Sequence, residues 1–430
     1  MRVILIKRKE SHMSFSTVEG LFTISVDMTM TLALAAAVLL VGMAISNRVK
    51  FLQKYCIPAP VIGGFLTMLV IFAGHMTNVF TVEFDTTFQT VFMVAFFTTV
   101  GLSADFRLLK QGGRILLIYW LCAGIISAAQ GPIAMGLGSL MGMEPAYSIT
   151  AGAIAMCGGH GAGAAYGSTL VARGYPAATD CALAAATFGL IVSVMLGGPL
   201  ARRLIKRNNL KPPALPQRTK KAAPKTREER RSSAMDILKN FAVIVMCMAA
   251  GIQVAKLASM GIGVALGGSQ ITLPDYIGAM FVSVLVRNLN EKFHWFNYDA
   301  KFCDGLGGIT LDIFLSIAMM SIKLWQLLGL VGGLAVIVAA QVIIMAFYAY
   351  FVVFRALGKN YDAAVMCGGL CGHALGATPT AMANMEAVTA QFGFSQTAFV
   401  VVPIVGAFLV DCIYQPFTIF LINAFIPVVG

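Results

Sequence analysis

Two glycine-rich segments hold most of the polar side chains that could bind a small ligand. The first covers residues 158–163 and the second residues 368–380, and each contains one histidine, His160 or His373. Glycine clusters interrupt a helix, and Pro379 removes an amide donor from the second segment. Interrupted helices leave carbonyl oxygens free for a cation and amide N–H groups free for a carboxylate. The two segments are therefore candidates for a site that binds an anion together with a cation.

The second segment continues into residues suited to an ion site. Asn384 follows Thr380 by four residues, so both lie on one helical face, and an amide oxygen binds a cation without deprotonation. Asp411 lies in an apolar run, where a carboxylate costs about 2.5 to 3.5 kcal/mol to insert and so needs a partner. Small residues that only allow close helix packing are the structural alternative. We assign substrate binding to Gly159, His160, Gly161, Gly163, Gly372, His373, Gly376, Thr378 and Thr380, and sodium binding to Thr378, Pro379, Asn384 and Asp411.

The composition places these segments in a membrane protein. Hydrophobic residues make up 58% of the 430 residues and charged residues 12%, too few charges to cover soluble domains. Ten apolar runs predict membrane-spanning helices: residues 27–46, 57–76, 88–104, 115–141, 177–201, 236–258, 273–290, 305–322, 328–354 and 397–426. The stretches 146–170 and 363–386 interrupt them. Because non-helical backbone at membrane depth must be buried in protein or line a cavity, we interpret each stretch as a re-entrant hairpin.

The two halves of the chain resemble each other. Residues 156–159 recur letter for letter as residues 366–369, and Ile62-Gly63 corresponds to Ile277-Gly278. Such collinear matches indicate an internal repeat. With five crossings in each half, the second copy must enter the membrane inverted, which is typical of secondary transporters. The predicted fold class is an all-α polytopic membrane protein with about ten transmembrane helices in two inverted five-helix repeats, each with a re-entrant glycine-rich hairpin.

Charge divides the chain and predicts its orientation. From Arg202 to Arg231 there are 12 Lys and Arg against two Glu, which indicates a basic linker. Basic loops stay in the cytoplasm, so the linker is predicted to be cytoplasmic and both termini outside, and its expected partner is anionic lipid rather than nucleic acid. The basic residues before Met13 conflict with this orientation and favour a native start at Met13. The predicted regions are an N-terminal segment (1–26), a first repeat (27–201), the linker (202–235) and a second repeat (236–430).

Three charged residues lie near predicted membrane boundaries. Asp27, Asp180 and Lys323 sit close to the ends of apolar runs. Long or short charged side chains at such positions usually reach water or the headgroup layer. We therefore expect solvated roles for all three.

Several continuous strings resemble the bacterial sodium/glutamate symporter family. They are GHGAGAA at 159–165, GKNYDAAV at 358–365, GATPTAMANM at 376–385 and VPIVGAF at 402–408, and the resemblance runs from about Asp27 to the C-terminus without the linker. The chain departs from the family pattern at Leu370, where the family tends to carry histidine. The resemblance implies sodium-driven uptake of L-glutamate across the inner membrane, inverted five-helix repeats with re-entrant loops, dimers and elevator-type movement, with Na⁺ as coupling ion and no cofactor.

Other functions remain open at this point. The same hairpins could serve a sodium- or proton-coupled carrier of another dicarboxylate or hydroxycarboxylate. A membrane-embedded enzyme is a distant alternative, because the sequence has no His-Glu-x-x-His, paired aspartates or Gly-x-Ser-x-Gly motif. A channel fits less well, because repeated broken helices suit alternating access better than a continuous pore.

Overall fold

The computed structural model describes residues 13–18, 21–54, 57–104, 107–212, 234–265 and 273–429, most of which are helical. The first half contains β1 (Met13–Val18), β2 (Leu21–Val26), α1 (Met28–Ser46), α2 (Lys50–Lys54), α3 (Ala59–Met76), β3 (Phe80–Phe84), α4 (Thr87–Ser103), α5 (Arg107–Leu140), α6 (Pro145–Ser148), α7 (Ala153–Met156), α8 (Gly159–Ala172) and α9 (Ala178–Arg207). A 3₁₀ turn (Ile149–Ala151) joins α6 to α7.

The second half has no strands among its described residues. It contains α10 (Ala234–Ala265), α11 (Asp275–Phe293), α12 (Ala300–Met320), α13 (Leu324–Leu327), α14 (Val331–Phe347), α15 (Phe354–Ala356), α16 (Tyr361–Leu375), α17 (Thr378–Phe392), α18 (Gln396–Ile404) and α19 (Asp411–Phe425). Two π-helical segments, Tyr348–Val353 and Val405–Leu409, interrupt the last long helices.

The prediction of an all-α chain is wrong near the N-terminus, where three strands form a small sheet. β1 pairs antiparallel with β2, and β2 pairs parallel with β3. Apolar and polar residues alternate along β1 and β2, which is the period of a strand with two different faces. The rings of Phe15 and Phe22 stack with centroids 5.6 Å apart, and such aromatic pairs stabilise neighbouring strands. The sheet lies beside the start of α1 and the end of α3.

Seven helices in the described residues are long and apolar enough to cross a membrane, and each coincides with a predicted run: Met28–Ser46, Ala59–Met76, Gly113–Leu140, Ala178–Arg207, Ala234–Gly261, Ala300–Met320 and Val331–Ala356. The other three predicted runs are helical but differ. α4 has 17 residues, about 25 Å at 1.5 Å per residue. The second half of α11 carries Arg287, Glu291 and Lys292, and a π-helical segment after Pro403 divides the run 397–426. Ten crossings therefore remain a prediction.

The helices form two packed groups. The first group consists of α1, α3, α4, α10, α11 and α12, and the second of α5, α8, α9, α14 and α16 to α19. In the first group α3 packs on α12 and α11 packs on α4; in the second, α5 packs on α19 and α14 packs on α9. In the first group, the second long helix of each half packs on the third long helix of the other half. In the second group, the fourth long helix of each half packs on the last helix of the other half. The groups touch along α8, where an added Cβ at Gly161 would meet Phe96 at 3.4 Å and Leu311 at 3.8 Å.

Glycines bring the first two long helices of each half into backbone contact. A Cβ added to Gly63 of α3 would lie 2.0 Å from the Val38 carbonyl oxygen of α1. In the second half, a Cβ added to Gly278 of α11 would lie 2.2 Å from the Gly251 carbonyl oxygen of α10. Only glycine permits helices to approach this closely. Gly63 and Gly278 belong to the matching dipeptides of the sequence repeat, so equivalent residues make equivalent contacts.

The boundaries of the linker differ slightly from the predicted ones. α9 continues to Arg207, and α10 begins at Ala234, so residues 202–207 and 234–235 are helical. Residues 213–233, like residues 1–12, lie outside the described residues. The linker's character and the native start at Met13 therefore stay predictions.

Replacing Gly63 or Gly278 by alanine is expected to destabilise the protein to a similar extent. Each new methyl group would overlap a carbonyl oxygen of the neighbouring helix, and overpacking of this kind typically costs about 1 to 3 kcal/mol. Thermal unfolding of the purified variants in one detergent measures the effect. Gly305→Ala in α12 is the control, because an added Cβ there has no neighbour within 4 Å. Wild-type unfolding temperatures for Gly63→Ala and Gly278→Ala would contradict the backbone contacts.

Candidate functional site

The first glycine-rich stretch forms two helical arms joined by a break. The chain runs through α6 and α7 to Met156, and α8 begins at Gly159. Gly159 has φ +60°, a left-handed conformation that glycine adopts without strain. The ring of Tyr147 in α6 packs edge-on against Tyr175, which follows α8, with centroids 5.9 Å apart. Both ends of residues 145–172, the first hairpin, therefore lie together, and Gly159 is at its tip.

The second glycine-rich stretch has the same shape. Only Gly376 and Ala377 separate α16 from α17. Beyond the end of α17, Ser395 Oγ donates a hydrogen bond of 2.7 Å to Asp362 Oδ1 at the start of α16. Residues 361–392, the second hairpin, therefore also begin and end in the same place, with Gly376 at the tip.

The tips of the two hairpins meet beside the middle of α9. A Cβ added to Gly159 would lie 3.0 Å from the Gly376 carbonyl oxygen. On α9, an added Cβ at Gly189 would lie 2.4 Å from the Leu375 carbonyl oxygen, and Ser193 Oγ is 2.6 Å from the position of a Cβ on Gly376. Small residues on both hairpins and on α9 therefore allow three backbone segments to converge.

The open ends of the hairpins lie at opposite ends of α9. The first hairpin leads directly into the start of α9 at Ala178. The second opens at the other end, because a Cβ added to Gly393 after α17 would lie 2.9 Å from Pro212 Cγ, shortly after α9 ends. The 30 residues of α9 span about 45 Å. The two hairpins thus approach one another from opposite sides of the helix bundle.

Thr378, Pro379 and Thr380 shape the second tip. Thr380 Oγ1 accepts a hydrogen bond from the Ala377 amide at 3.1 Å and donates to the Gly372 carbonyl oxygen at 2.8 Å. Pro379 lies in the first turn of α17, where an amide has no helical acceptor, so it breaks no hydrogen bond. Thr378 Oγ1 donates to a carbonyl oxygen of the π-helical segment before α19 at 2.9 Å. All three residues are at the tip, and both hydroxyl groups hold its backbone.

Asn384 lies in α17, further from the tip of the second hairpin than Thr380, and is 1% exposed. Its Nδ2 donates to the carbonyl oxygen of Ser193 on α9 at 3.0 Å and to that of Gly368 on α16 at 3.3 Å. Within the described part of the chain, no donor reaches its amide oxygen Oδ1. The amide nitrogen therefore fixes the side chain and leaves the oxygen available to a cation.

Asp411 lies beside the first hairpin. It begins α19 directly after the π-helical segment, so the prediction of an uninterrupted helix around it is wrong. The side chains of Tyr414 and Gln415 lie next to its carboxyl group, and Cys157 at the first tip is also near. Asn384 contacts α9 and α16 instead. Two of the predicted sodium ligands, Asn384 and Asp411, therefore have different neighbours.

The two histidines are both buried and have different surroundings. His160 Nε2 lies 3.0 Å from Thr187 Oγ1 on α9. His373 is 2% exposed, and its Nε2 has no hydrogen-bond partner among the described residues. The ring of His373 lies 6.2 Å from that of Tyr119, whose hydroxyl group likewise has no partner there. Buried polar groups are nearly always paired, so these two atoms are candidates for contact with a ligand.

Other polar residues of the site were not among the predicted ones. Gln130 Nε2 on α5 donates to the Ala374 carbonyl oxygen beside the second tip at 2.8 Å, and Gln341 Nε2 donates to the Gln130 carbonyl oxygen at 2.8 Å. The side-chain oxygens of Gln130, Gln341 and Gln415 have no partner among the described residues. The sequence contains a signal for these three residues, because each glutamine is a polar residue inside a predicted membrane-spanning run. Across the described ranges, no group of three His, Cys, Asp or Glu side chains could hold a metal ion.

Three predicted substrate residues lie at helix contacts away from the tips. Gly161 faces α4 and α12. An added Cβ at Gly163 would lie 3.5 Å from the Ala182 carbonyl oxygen of α9, and one at Gly372 would lie 2.4 Å from Ala381 Cα of α17. These contacts are the close packing that small residues permit. Their role in binding substrate stays a prediction.

Of the three charged residues at the predicted boundaries, only Asp180 is buried. Asp180 at the start of α9 is 6% exposed, and its Oδ2 accepts the backbone N–H of Lys323 at 3.2 Å. This bond joins the second helix group to the segment that follows α12. Asp27 Oδ1 accepts the Met30 amide at 2.7 Å and caps α1. The solvated role expected for Asp180 is therefore wrong, whereas Asp27 is only half-buried and Lys323 is exposed.

Comparison with known proteins finds relatives along most of the chain. A family model described as sodium/glutamate symporter matches residues 24–394. The chain belongs to the sodium/glutamate symporter family. It is 38% identical to the sodium/glutamate symporter of Escherichia coli (strain K12) over 390 residues, 90% of this chain and 95% of that protein. It is also 38% identical to the one of Haemophilus influenzae over 389 residues, 89% of this chain and 94% of that protein.

Membership in the sodium/glutamate symporter family identifies the chain as a multi-pass membrane transporter and not an enzyme, because its relatives are named as symporters. Among solved structures, a sodium proton antiporter of Methanocaldococcus jannaschii shares 13% identity at a TM-score of 0.36, covering 92% of this chain and 97% of that one. That likeness is too weak to bear on the fold.

Gly376→Ala is expected to lower the transport rate by about tenfold or more while the protein still inserts. The new methyl group would lie 2.6 Å from Ser193 Oγ and 2.8 Å from Thr380 Oγ1, so the tip must move, and displacements near 1 Å cost large factors in positioned sites. Gly136→Ala in α5 is the matched control, because an added Cβ there has no neighbour within 4 Å and Gly136 is outside the predicted site. Uptake assays at equal expression compare the two. Equal uptake rates for the two variants would contradict the close contact of Gly376 with Ser193 and Thr380.

Proposed function

We propose that this chain is a secondary active transporter that couples Na⁺ entry to the uptake of L-glutamate by alternating access. The observation that carries the proposal is the 38% identity to named sodium/glutamate symporters over about nine tenths of the chain. The meeting of two hairpin tips supports it, since unwound backbone at the centre of a membrane protein is typical of sites for small anions and Na⁺.

We propose further that the chain crosses the membrane ten times as two inverted five-helix repeats. The reciprocal packing of the helices and the equivalent contacts of Gly63 and Gly278 support a repeat. The hairpins open at opposite ends of α9, which supports re-entrant entry from the two membrane faces. The short α4, the charged α11 and the divided run after Pro403 would then cross within the protein, where broken or polar backbone is tolerated.

An elevator-type movement is consistent with the two helix groups. Both hairpins belong to the group with α9, and the other group touches this one mainly along α8. In such a movement the hairpin group would carry the site across the membrane while the first group stays fixed. The small residues of α8, including Gly161, would allow α8 to slide past Phe96 and Leu311.

The proposed roles of the site residues follow from their surroundings. The tip residues Gly159, Gly376, Thr378 and Thr380 and the two histidines, His160 and His373, would contact the substrate. The remaining predicted substrate residues, Gly161, Gly163 and Gly372, would shape the site through the close helix packing around the tips. Oxygen atoms of Thr378, Asn384 and Asp411 and the carbonyl of Pro379 would bind Na⁺, since oxygen is the ligand that hard cations prefer. Because Asn384 and Asp411 lie in different surroundings, their division supports more than one sodium position.

The proposed location is the inner membrane of a bacterium, with the linker in the cytoplasm and both termini in the periplasm. The C-terminal end and the open end of the first hairpin lie together, because the Val429 amide donates to the Arg173 carbonyl oxygen at 2.8 Å. The basic end of α9 lies at the other end of the bundle with the second hairpin. This separation supports the orientation that the charges predict. A homodimer remains part of the proposal.

Purified protein in proteoliposomes is expected to accumulate labelled glutamate when an inward Na⁺ gradient is imposed, and not with K⁺ instead. Glutamate carries one negative charge, so a carrier that gains from membrane potential must move at least two Na⁺, each further charge adding about 2.3 kcal/mol per 100 mV. Glutamate with Na⁺ should therefore produce an inward positive current. Stronger inhibition by unlabelled dicarboxylates than by unlabelled glutamate would favour a dicarboxylate carrier. The absence of a current would contradict a stoichiometry of two or more Na⁺ per glutamate.

Asn384→Ala is expected to raise the Na⁺ concentration for half-maximal uptake by a larger factor than it changes glutamate affinity at saturating Na⁺. The change removes the free amide oxygen, while the two carbonyl oxygens that Asn384 bonded lie inside α9 and α16, where each is also an acceptor in its own helix. Asn208→Ala at the exposed end of α9 is the control, because among the described residues that side-chain amide bonds the Leu204 carbonyl oxygen alone. An unchanged Na⁺ dependence at normal expression would exclude Asn384 and leave Asp411 and the tip carbonyls as candidates.

A further inference from the structure

A groove on the outside of the hairpin group combines an apolar floor with a basic end. It has a volume of about 440 Å³ and lies between α9 and the junction of α14 with the π-helical segment Tyr348–Val353. Its lining on α9 follows one helical face from Leu196 through Leu200 and Arg203 to Arg207. Its size is within the range of small-molecule sites in proteins, about 300 to 1,000 Å³.

The apolar part of the groove faces outward from the bundle. Phe347 is 61% exposed and Phe351 is 43% exposed, and their rings stack with centroids 5.7 Å apart. Pro199 lies in α9 on the opposite wall and interrupts the helical hydrogen bonds there. In a membrane protein, such a surface contacts hydrocarbon chains.

Guanidinium groups gather at one end of the groove. Arg207 Nη1 donates to the Tyr350 hydroxyl at 2.9 Å, and its guanidinium carbon lies 6.0 Å from the centre of that ring, so the charge is held at the groove wall. Arg203 lines the groove one turn earlier, and no carboxylate pairs with it among the described residues. Arg355 stacks 5.6 Å from the centre of the Phe351 ring on the opposite wall. Two arginines of the lining, Arg203 and Arg207, thus place positive charge at one end of an apolar groove, and Arg355 lies against Phe351 of its wall.

We propose that this groove binds one anionic phospholipid, with the phosphate between Arg203 and Arg207 and an acyl chain along α9 and Phe347. The arginines lie at the end of α9 that adjoins the basic linker, which is the level of the cytoplasmic headgroups in the proposed orientation. Arginine matches the geometry of phosphate oxygens, and basic pockets between membrane helices recognise lipid headgroups. The linker segment 213–233 is an unsuitable occupant, because it carries more Lys and Arg than Glu and like charges repel.

The groove is separate from the hairpin tips but shares α9 with them. Ser193, which touches the second tip, lies one turn before Leu196 at the end of the groove. A lipid in the groove would therefore stabilise the helix against which the tip packs. This inference does not depend on which substrate is carried, because binding can be measured without transport.

The test compares two doubly substituted variants of the full chain that lose the same charge. Arg203→Gln/Arg207→Gln removes the groove arginines, and Arg202→Gln/Lys206→Gln removes their immediate neighbours, which do not line the groove. Native mass spectrometry in detergent measures binding of phosphatidylglycerol, with phosphatidylcholine and inorganic phosphate as comparison probes. Wild type and the control are expected to bind phosphatidylglycerol alike. The groove variant should bind about thirtyfold more weakly, since each basic residue contributes roughly 1 kcal/mol of attraction to anionic lipid.

A second variant tests the apolar part without changing any charge. Ala346→Trp fills the groove and is expected to weaken phosphatidylglycerol binding while inorganic phosphate remains ineffective for every variant. Equal binding of phosphatidylcholine, or binding of phosphate alone, would overturn the proposal. Unchanged lipid binding in the groove variant would also overturn it. If the groove variant instead lost its oligomeric state whether or not lipid was present, a second copy of the chain would cover the groove, and the proposal would again be overturned.

Discussion

The contact between two unwound backbone segments at the centre of the bundle is the constraint on which the rest of the structure depends. At the depth of a membrane, carbonyl and amide groups without partners cost several kcal/mol each, so a broken helix is stable only when protein surrounds it. Here each hairpin provides part of the other's surroundings, through Gly159 and Gly376. A side chain at Gly159 would press on the Gly376 carbonyl oxygen, and one at Gly376 would meet Ser193 Oγ of α9 and Thr380 Oγ1, which explains why both are glycine.

The composition of α9 follows from this contact. The middle of α9 needs small side chains, and Gly189, Ser193 and Gly197 lie where the second hairpin packs. An added Cβ at Gly197 would lie only 2.2 Å from Asn384 Nδ2. Small residues leave few side-chain packing contacts here, so hydrogen bonds fix the position of the second hairpin against its neighbours. Gln130 holds the carbonyl oxygen of Ala374 from the opposite side, and Asn384 ties α17 to α9. The second tip is therefore held by polar contacts between side chain and backbone, which are specific in direction, rather than by bulky packing.

The extent to which the sequence predicts this arrangement differs from element to element. Glycine clusters and the matching residues 156–159 and 366–369 predict where the chain breaks, because backbone freedom is a local property of glycine. The break before Asp411 has a weaker signal, Pro403 and a single Gly406, and these two residues do not specify that the helix resumes at Asp411 after a π-helical segment. The contacts of Gln130 with a residue 244 positions away are invisible in one sequence for the same reason. The strand pattern of residues 13–26 was visible but lies in a short segment before the first apolar run.

Charge at the site links the two proposed ligands. Asp411 brings a carboxylate next to the first tip, and glutamate would add a net negative charge in a region from which water is largely excluded. Two like charges at low dielectric disfavour each other, so substrate binding without a cation is unfavourable, and the free oxygen of Asn384 offers a place for one. If Na⁺ raises the affinity for glutamate, glutamate must raise the affinity for Na⁺ by the same factor. Under the proposed function, a site assembled from neutral backbone and few charged groups would couple the ligands through their own charges, without a separate signal between them.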